Sequence, residues 1–338
     1  MVLESEKPSV TEATVMSHPL VSIIIPARNA ASWIADAIQS SLAQTYSTAE
    51  VVVVDDGSTD QTCDIIHSFD GRLKYHCLPE SHGAPHARNT GLEMACGEFV
   101  QFLDADDILF PHCIERKMKA SSQEEADVVY SGGFFFDYNA NAGTYEPQIA
   151  VSDEPSHVVA HVIGTTIVTT HLLCRKGALK AVGGYDESLV MGQEHDLLFR
   201  LAVHGARFVY VPEPLSFNRT GHNPGSITSV TSRNPGNFEA LLLRFEQRLI
   251  DTPLWKPHVR VALSGRFHEV AVQYLRIGDE IRARLAFIHA CELEPAYVSY
   301  LSFPRRLLTP LVGPFRAEQL LIRLRRLFPR STPEKKGP

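Results

Sequence analysis

Short runs of β-branched apolar residues occur near the start of the chain. Val21–Pro26 has the sequence VSIIIP, and Val51–Val54 is four valines in a row. Unbroken runs of this kind predict strands that are buried on both faces of a sheet. A further strand is predicted at Glu98–Leu103 and a weaker one at Leu73–Cys77.

The segments between these strands have helical spacing. Between about Ala31 and Ala43 the apolar residues, Trp33 among them, recur on one helical face. Ser58 with Gln61 three residues later fits a capping box, which predicts a helix from there to about Phe69. A further helix is predicted at Ala84–Ala95.

Strands that alternate with helices indicate βαβ units. The predicted fold class is therefore α/β, with a Rossmann-like, mostly parallel sheet flanked by helices.

The pattern changes beyond residue 127. A strand is predicted at Asp127–Tyr130, a loop at Phe134–Val151, and a strand at Arg207–Val211 that Pro212 and Pro214 stop. Two helices are predicted at Lys176–Val182 and Glu194–His204. A segment rich in Gly, Asn, Pro and Ser, Thr220–Gly236, marks a boundary, and the chain beyond it is mostly helical. We therefore predict a disordered tail at 1–18, an α/β domain at 19–230 and a helical region at 231–338.

Three polar clusters follow three of the predicted strands. They are Ala27-Arg28-Asn29, Asp55-Asp56-Gly57-Ser58 and Asp104-Ala105-Asp106-Asp107. Ligands of such sheets bind beyond the carboxyl ends of the strands. The clusters therefore predict a site for a nucleotide-type ligand at this edge.

The last cluster crowds three carboxylates into four residues, Asp104 to Asp107. Such carboxylates repel one another unless a cation lies among them, and Mg²⁺ or Mn²⁺ bridges carboxylates to substrate phosphates. An acidic loop or a helix start is the alternative. The position at a strand end favours a metal site.

Asp55 and Asp56 suit hydrogen bonds to a base N–H and a ribose hydroxyl, although a turn with its cap would also place acids there. Arg88 could offer its guanidinium group to a phosphate or to one of these aspartates, or it could lie on the helix surface. Both alternatives stay open at this point.

A second acidic cluster, Gly192-Gln193-Glu194-His195-Asp196, precedes a helix. Glu194 is a candidate general base, or an acid that stabilises the helix N-terminus. His195 is interpreted as a structural residue. Arg219, His222 and Ser226 lie in a polar segment that could fold over a diphosphate or could have no role.

Charge and composition exclude several classes of function. The net charge of −7 argues against a nucleic-acid partner, because such proteins usually present a basic face. Met1–Ser17 lacks the apolar core of a signal peptide, and no apolar run approaches the roughly 18 residues that a spanning helix needs. The six cysteines contain no C-x-x-C pair, so we expect free thiols in a reducing compartment. We therefore expect a cytoplasmic protein.

The C-terminal segment is basic and rich in leucine. It could form an amphipathic helix on an anionic membrane, which would place the protein peripherally at the inner face. A helix packed on the catalytic domain with solvated arginines is the other interpretation. The arginines are Arg305, Arg306, Arg316, Arg323, Arg325, Arg326 and Arg330.

Five segments, in this order, resemble the motifs of glycosyltransferase family 2. The resemblance covers about residues 19–230 and implies a GT-A fold and a metal-dependent, inverting transfer from a nucleotide diphosphate sugar, most often a UDP-sugar, to an acceptor hydroxyl. The segments are VSIIIPARNA from Val21, VVVVDDGSTD from Val51, HARNTG from His86, FLDADD from Phe102 and YDESLVMGQEHDLLFRL from Tyr185.

The resemblance also implies roles for individual residues. Asp104 and Asp106 correspond to the D-x-D motif that holds Mn²⁺ or Mg²⁺, with Asp106 on the metal and Asp104 on the ribose or the metal. Glu194 corresponds to the base, although the family usually has Glu-Asp where this chain has Gln193-Glu194. The residues implied to frame the nucleotide are Pro26, Arg28, Asp56 and Arg88, with Asp55 in support.

The implied acceptor is a glycan, a lipid-linked molecule or a protein, in the synthesis of a cell-surface polysaccharide or another glycan. A nucleotidyltransferase is a rival, but it would need a glycine-rich phosphate loop, and Pro26–Asn29 has no glycine. A nucleotide- or glycan-binding module without turnover is the other alternative.

Overall fold

The computed structural model describes residues 18–139, 141–148, 151, 154–221, 234–300 and 303–327. The strands in this part are β1 Val21–Ala27, β2 Ala49–Asp55, β3 Lys74–Cys77, β4 Phe99–Phe102, β5 Ile108–Leu109, β6 Val128–Asp137, β7 Ala142–Glu146, β8 Leu172–Arg175 and β9 Phe208–Thr220. The helices are α1 Ile34–Leu42, α2 Thr62–His67, α3 Ala84–Met94, α4 Cys113–Glu124, α5 Pro155–Gly164, α6 Lys176–Ala181, α7 Gln193–Val203, α8 Pro235–Leu249, α9 Pro257–Ile277, α10 Glu280–Leu293, α11 Phe303–Val312 and α12 Pro314–Leu327, with 3₁₀ turns at Thr169–His171 and Pro295–Tyr300.

The described strands form one sheet in the order β3-β2-β1-β4-β8-β6-β9-β5, with β7 paired to β6. The pairs among β1, β2, β3 and β4 are parallel. Beyond them β8 runs antiparallel to both β4 and β6, whereas β6 and β9 are parallel. The sheet is therefore mixed, and the predicted parallel arrangement holds for the half that β1 to β4 build.

The all-apolar sequence of β1 follows from its central position. Ile24 packs on one face of the sheet with Val52 and Val100, whereas Ile23 and Ile25 pack on the other. Helices cover both faces, so no residue of β1 meets solvent. This is the burial that a run without alternation predicts.

The predicted end of the last strand at Pro212 is wrong. β9 continues through Pro212 and Pro214 to Thr220. Its pairing with β6 is irregular at this point, since Val211 lies opposite Ser131 and Pro214 opposite Gly132. A proline has no N–H to donate, and an irregular register tolerates that loss.

The predicted loop at Phe134–Val151 is also wrong in large part. Residues 134–137 continue β6, and Ala142–Glu146 forms β7 as the second strand of a hairpin. Phe134 stacks on Phe217 of β9, with ring centroids 5.9 Å apart. Cross-strand aromatic pairs of this kind stabilise a sheet, but their partners are distant in sequence.

The capping box predicted at Ser58 does not form. The Ser58 hydroxyl donates to Asp55 instead, and α2 begins at Thr62, whose N–H donates to Asp60 at 3.0 Å. The helices α1, α3, α6 and α7 begin and end within three residues of their predicted bounds. Local helical periodicity therefore predicted the bounds of these helices well. The capping box was predicted wrongly, because the Asp55 carboxylate accepts the hydrogen bond of the Ser58 hydroxyl.

The C-terminal helices pack on the sheet region. Phe245 of α8 stacks on Phe199 of α7, with ring centroids 4.0 Å apart. Val100 of β4, Leu201 of α7 and Phe267 of α9 belong to one contiguous hydrophobic cluster. The predicted boundary near residue 230 lies outside the described residues.

The structure of α11 and α12 agrees in part with the interpretation that the C-terminal segment packs on the rest of the protein. Glu318 of α12 is buried and pairs with His268 of α9 and Arg305 of α11. Leu307 and Leu311 of α11 remain 57% and 73% exposed. The side chains of residues 323–338 lie outside those described. Among the described helices, none combines the length and apolar character needed to cross a membrane.

A disulfide joins Cys63 of α2 to Cys77 at the end of β3, so the expectation of free thiols is wrong for this pair. Cys113 and Cys174 are free and buried, as expected, whereas Cys96 is free and exposed. The spacing gave no signal, because the two cysteines meet only once β3 has aligned beside β2.

Replacing Cys63 by Ser should destabilise the oxidised protein by about 3 kcal/mol, because the bond closes a loop of about 15 residues in the unfolded chain. Urea unfolding of both proteins, with and without dithiothreitol, measures this difference. Cys96→Ser removes an exposed free thiol and should change nothing. If dithiothreitol leaves the stability of the wild-type protein unchanged, the disulfide contributes nothing.

Candidate functional site

A cleft of about 1440 Å³ opens at the carboxyl ends of β1, β2 and β4. The strands end at one edge of the sheet, which brings their terminal side chains together although they are distant in sequence. Six residues predicted from the sequence line this cleft: Pro26, Arg28, Asp56, Arg88, Asp104 and Asp106. The other two predicted site residues, Asp55 and Glu194, are not in its lining.

Asp55 shapes the turn that follows β2. It is 2% exposed, and its carboxylate accepts hydrogen bonds from the N–H and the hydroxyl of Ser58. Gly57 has a φ of +64°, and a Cβ there would lie 2.5 Å from the carbonyl carbon of Glu80. Asp55 therefore has the turn-and-cap contacts that the sequence left open, and the turn presents Asp56.

Asp56 holds the loop that leads into α3. Its carboxylate accepts hydrogen bonds from the Ser81 hydroxyl at 2.7 Å, the His82 N–H at 2.8 Å and the Gly83 N–H at 2.9 Å. A carboxylate offers about four acceptor sites, so Asp56 has one left for a ligand in the cleft. It is both a wall of the cleft and the anchor of the neighbouring loop.

Pro26 and Arg28 differ sharply in exposure. Pro26 is buried within β1, whereas Arg28 follows the strand and is exposed at the cleft. Arg28 has no hydrogen bond or ion pair to another described residue. Its guanidinium group therefore faces solvent and can meet an anionic ligand.

Arg88 is buried at 6% exposure, which excludes the surface alternative. Its guanidinium group donates to Asp104 at 2.8 Å and to the side-chain oxygen of Gln193 at 2.9 Å, and it lies 5.2 Å from the centroid of the Tyr185 ring. Burial lowers the pKa of Arg88, but Asp104, Tyr185 and Glu194 together outweigh burial, and the pKa is raised. Arg88 thus connects α3 to the loop after β4 and to α7.

Asp107 anchors the acidic loop. Its carboxylate accepts hydrogen bonds from Thr170 at 2.7 Å, from Asn218 at 2.6 Å and from the N–H of Arg219 at 3.0 Å. Burial, followed by the charges of Asp104 and Asp106, raises its pKa well above the usual range. Asp107 is therefore held in place by three hydrogen bonds, and it lines the cleft together with Asp104 and Asp106.

The donor set of this loop fits a small divalent cation. One oxygen of Asp104 accepts from Arg88, and the other accepts no hydrogen bond from the described residues. Asp106 lines the same cleft. Mg²⁺ is usually held by one or two carboxylates together with waters and phosphates. Elsewhere in the described part, Glu154, His157 and His258 place three potential ligand atoms within 4.8 Å of one another at a site outside the cleft.

The side chain of Arg219 makes several contacts that its place in a polar segment did not predict. It belongs to β9, donates to the carbonyl oxygen of Asp106 at 2.7 Å and to the carboxylate of Asp36 at 2.8 Å, and lies 4.8 Å from the centroid of the Trp33 ring. Its partners in the sequence prediction, His222 and Ser226, lie outside the described residues. Arg219 therefore places a further cation in the wall of the cleft, beside Arg28 and Arg88.

Sequence reasoning missed Trp33, Thr170 and Asn218. Trp33 was assigned to a buried helical face, but it precedes α1 and lines the cleft. Its position just beyond the polar end of β1 was the available signal. Thr170 and Asn218 gave none, because their contacts with Asp107 join distant parts of the chain.

Glu194 lies in the first turn of α7, one residue beyond Gln193, which does line the cleft. Its side chain is 28% exposed. Burial raises the pKa of Glu194, Asp104 adds to this effect and Arg88 opposes it. The carboxylate is thus close enough to the Arg88–Asp104 pair to interact electrostatically.

Replacing Asp56 by Ala should release the loop at 81–83. Each lost hydrogen bond to a charged acceptor contributes about 1.5–3 kcal/mol, so amide exchange of His82 and Gly83 should accelerate by at least about tenfold. Hydrogen–deuterium exchange with mass spectrometry measures this change. Asp70→Ala, an exposed carboxylate outside the cleft, is the control. Unchanged protection of both amides would show that Asp56 does not hold the loop.

Comparison with known proteins agrees with this geometry. Residues 22–178 match the family described as glycosyl transferase family 2. An uncharacterised glycosyltransferase of Rickettsia typhi is 34% identical over 186 residues, which are 54% of this chain and 58% of that protein. The chain therefore spans little more than half the length of this relative.

Two solved structures share the fold. Staphylococcus aureus TarS 1-349, in complex with UDP-GlcNAc, aligns with a TM-score of 0.64 and 20% identity, covering 91% of this chain and 92% of that chain. The mannosyltransferase PcManGT from Pyrobaculum calidifontis, in complex with GDP-Man and Mn²⁺, aligns with a TM-score of 0.54 and 19% identity, covering 93% of this chain and 89% of that chain. These likenesses confirm the predicted GT-A fold.

The family match covers β1 to β8 and the first half of α6. This part contains six of the seven polar site residues that were predicted from the sequence, and the seventh, Glu194, lies downstream of it. Residues 22–178 therefore belong to glycosyltransferase family 2, and the chain has a GT-A fold.

Proposed function

We propose that the protein is a metal-dependent, inverting glycosyltransferase that moves a sugar from a UDP-sugar to an acceptor hydroxyl. One observation carries this proposal: arginines and carboxylates that are distant in sequence line one cleft, most of which is built by a family 2 domain. They include Arg28, Asp56, Asp104 and Asp106 after separate strands and Arg88 in α3. A nucleotide diphosphate sugar needs cationic partners for its phosphates and carboxylates for its hydroxyl groups and metal.

The nucleotide would bind along the ends of β1 and β2. Arg28 is exposed at the cleft and can pair with a phosphate, and Asp56 keeps one acceptor site for a base N–H or a ribose hydroxyl. Pro26 and Trp33 provide apolar surface beside them. Arg88 is engaged with Asp104 and Gln193, so its role is to position these two side chains.

Asp106 and Asp104 would hold Mn²⁺ or Mg²⁺ together with the donor phosphates. The cation would supply positive charge to the leaving diphosphate. The Mn²⁺ in PcManGT supports this choice of metal class.

Glu194 would accept the proton of the acceptor hydroxyl. The hydroxyl oxygen then bonds to the anomeric carbon as the bond from that carbon to the diphosphate oxygen breaks. A single displacement of this kind inverts the anomeric centre. Because burial raises the pKa of Glu194, the carboxylate is a stronger base near neutral pH than a solvated glutamate.

The size of the cleft supports a second substrate. Ligand pockets usually measure about 300–1,000 Å³, and this cleft is larger, at about 1440 Å³. The acceptor would be a glycan, a lipid-linked molecule or a protein. A binding module without turnover needs no base, and a carboxylate at Glu194 that interacts electrostatically with Arg88 and Asp104 favours an enzyme over it.

Donor hydrolysis tests this proposal. Across a panel of UDP- and GDP-sugars, the wild-type protein should release one nucleotide in the presence of Mn²⁺ or Mg²⁺, and EDTA should abolish the release. Asp106→Ala should reduce the rate by at least about 100-fold, because several kcal/mol of charge stabilisation are lost.

Glu213→Ala removes a surface carboxylate outside the cleft and is the matched control. It should keep the wild-type rate. If no nucleotide is released and none binds in the presence of metal, the protein is not a nucleotide-sugar transferase.

We also propose a peripheral contact with the inner face of a membrane through α11. Leu307 and Leu311 are exposed there, and the neighbouring Arg306 is exposed as well. Apolar side chains beside cations suit an anionic lipid surface. Such a location would suit a lipid-linked acceptor.

The double variant Leu307→Asp, Leu311→Asp should bind vesicles of phosphatidylglycerol and phosphatidylcholine at least about tenfold more weakly than wild type, since burying one leucine contributes about 1.5–3 kcal/mol. Co-sedimentation measures the bound fraction. Ile281→Asp, on the equally exposed α10, is the control. Equal binding of all three proteins, or no binding of wild type, would contradict the membrane contact.

A further inference from the structure

His195 lies between the proposed base and the C-terminal helices. It is 6% exposed, and its Nε2 atom is 3.0 Å from Nη2 of Arg266 in α9. Its ring forms a T-shaped pair with Phe238 of α8, with ring centroids 5.4 Å apart. One imidazole therefore contacts the first two helices that follow β9.

The contact with Arg266 fixes the tautomer of His195. A guanidinium group can only donate hydrogen bonds, so Nε2 must be the acceptor and carries no proton. Burial, assisted by the charge of Arg266, lowers the pKa of His195 to about 3, so the ring is neutral at physiological pH. The single ring proton therefore lies on Nδ1.

The Nδ1 atom is a buried donor that has no partner among the described residues. An unsatisfied buried donor costs about 1–3 kcal/mol, so a nearby acceptor would be favoured. Oε1 of Glu194 is 3.9 Å away. The Glu194 side chain is partly exposed, and a modest rotation of it would bring the two atoms within hydrogen-bond distance.

Arg266 is itself held in place. It donates to Glu269 at 2.7 Å, and it lies 4.9 Å from the centroid of the Phe238 ring. Its side chain is 12% exposed. The cation therefore has few alternative positions, and the tautomer that it imposes on His195 is correspondingly fixed.

We propose that Arg266 and His195 are positioning residues for the catalytic base: Arg266 imposes the Nδ1–H tautomer on His195, and this N–H directs one oxygen of Glu194 and leaves the other for the acceptor hydroxyl. The proposal rests on the proposed function, because it assigns a role beside the base of that reaction. It also gives the C-terminal helical region a part in catalysis, through α9.

Nuclear magnetic resonance tests the tautomer without any donor. In protein with ¹⁵N-labelled histidine, the His195 ring should show a protonated Nδ1 and a bare Nε2 at neutral pH, with the assignment taken from His195→Phe. Arg266→Glu places an acceptor at Nε2 and should reverse the tautomer. Arg260→Ala removes an arginine of the same helix that pairs with Glu294, and it should leave the ring signals unchanged.

Turnover of the donor identified by the hydrolysis panel tests the role. His195→Phe removes the N–H and should lower kcat by about 10- to 100-fold, because the base loses its fixed geometry, while KM for the donor stays the same. His195→Asn keeps an N–H near the place of Nδ1 and should recover much of the rate. In a Glu194→Gln background the His195→Phe change should have no further effect.

The outcomes separate the two proposals. A protonated Nε2 in the wild-type protein, or a kcat of His195→Phe equal to wild type, overturns the positioning role while transfer activity stands. A wild-type protein that releases no nucleotide from any donor overturns the proposed function, and the positioning role fails with it.

Discussion

The buried guanidinium group of Arg88 holds the centre of the site together. A buried charge is costly unless it is paired and hydrogen-bonded, and Asp104 and Gln193 supply these contacts. These two residues come from the loop after β4 and from the start of α7, whereas Arg88 comes from α3. Neither the acidic loop nor the helix that carries Glu194 can shift without unpairing this cation, so the proposed metal ligands and the proposed base keep a fixed separation.

The carboxylates of the two acidic clusters at the strand ends have two roles: they hold the loops in place and they line the cleft. Asp55 and Asp107 are buried and accept hydrogen bonds from nearby side chains and backbone. Asp56, Asp104, Asp106 and Asp107 line the cleft. Asp56 and Asp107 have both roles, because each also accepts three hydrogen bonds from the loops around it. Crowded acids repel one another, and the anchoring donors make the crowding tolerable.

The C-terminal helices α8 and α9 help to hold the site in place, because they pack against α7 and the residue before it. Gly192, just before α7, has a φ of +67°, and a Cβ there would lie 2.6 Å from the side chain of Leu241 in α8. His195 contacts Phe238 and Arg266, on α8 and α9. The helix that carries Glu194 therefore packs against α8 and α9 of the C-terminal helical region. A catalytic role for this region needs no polar cluster of its own.

The sequence by itself determined the central strands, the helices between them and the cleft residues at the strand ends. Apolar runs, helical periodicity and the polar residues that end a strand are local properties, and so Arg28, Asp56, Asp104 and Asp106 could be predicted at one edge of the sheet. Pro26 and Arg88 were predicted at the site through the family resemblance, and all six residues line the cleft. The family motifs added the proposed roles, because several motifs in one order are far more specific than any single one.

Only the tertiary structure decided the rest. β9 passes through Pro212 and Pro214 because β6 accommodates them with an irregular register, and Cys63 meets Cys77 because β3 aligns beside β2. The anchoring of Asp107 by Thr170 and the contact of His195 with Arg266 join residues far apart in the chain. Local composition does not predict such long-range contacts, because the free energy that favours them comes from packing and burial in the folded protein.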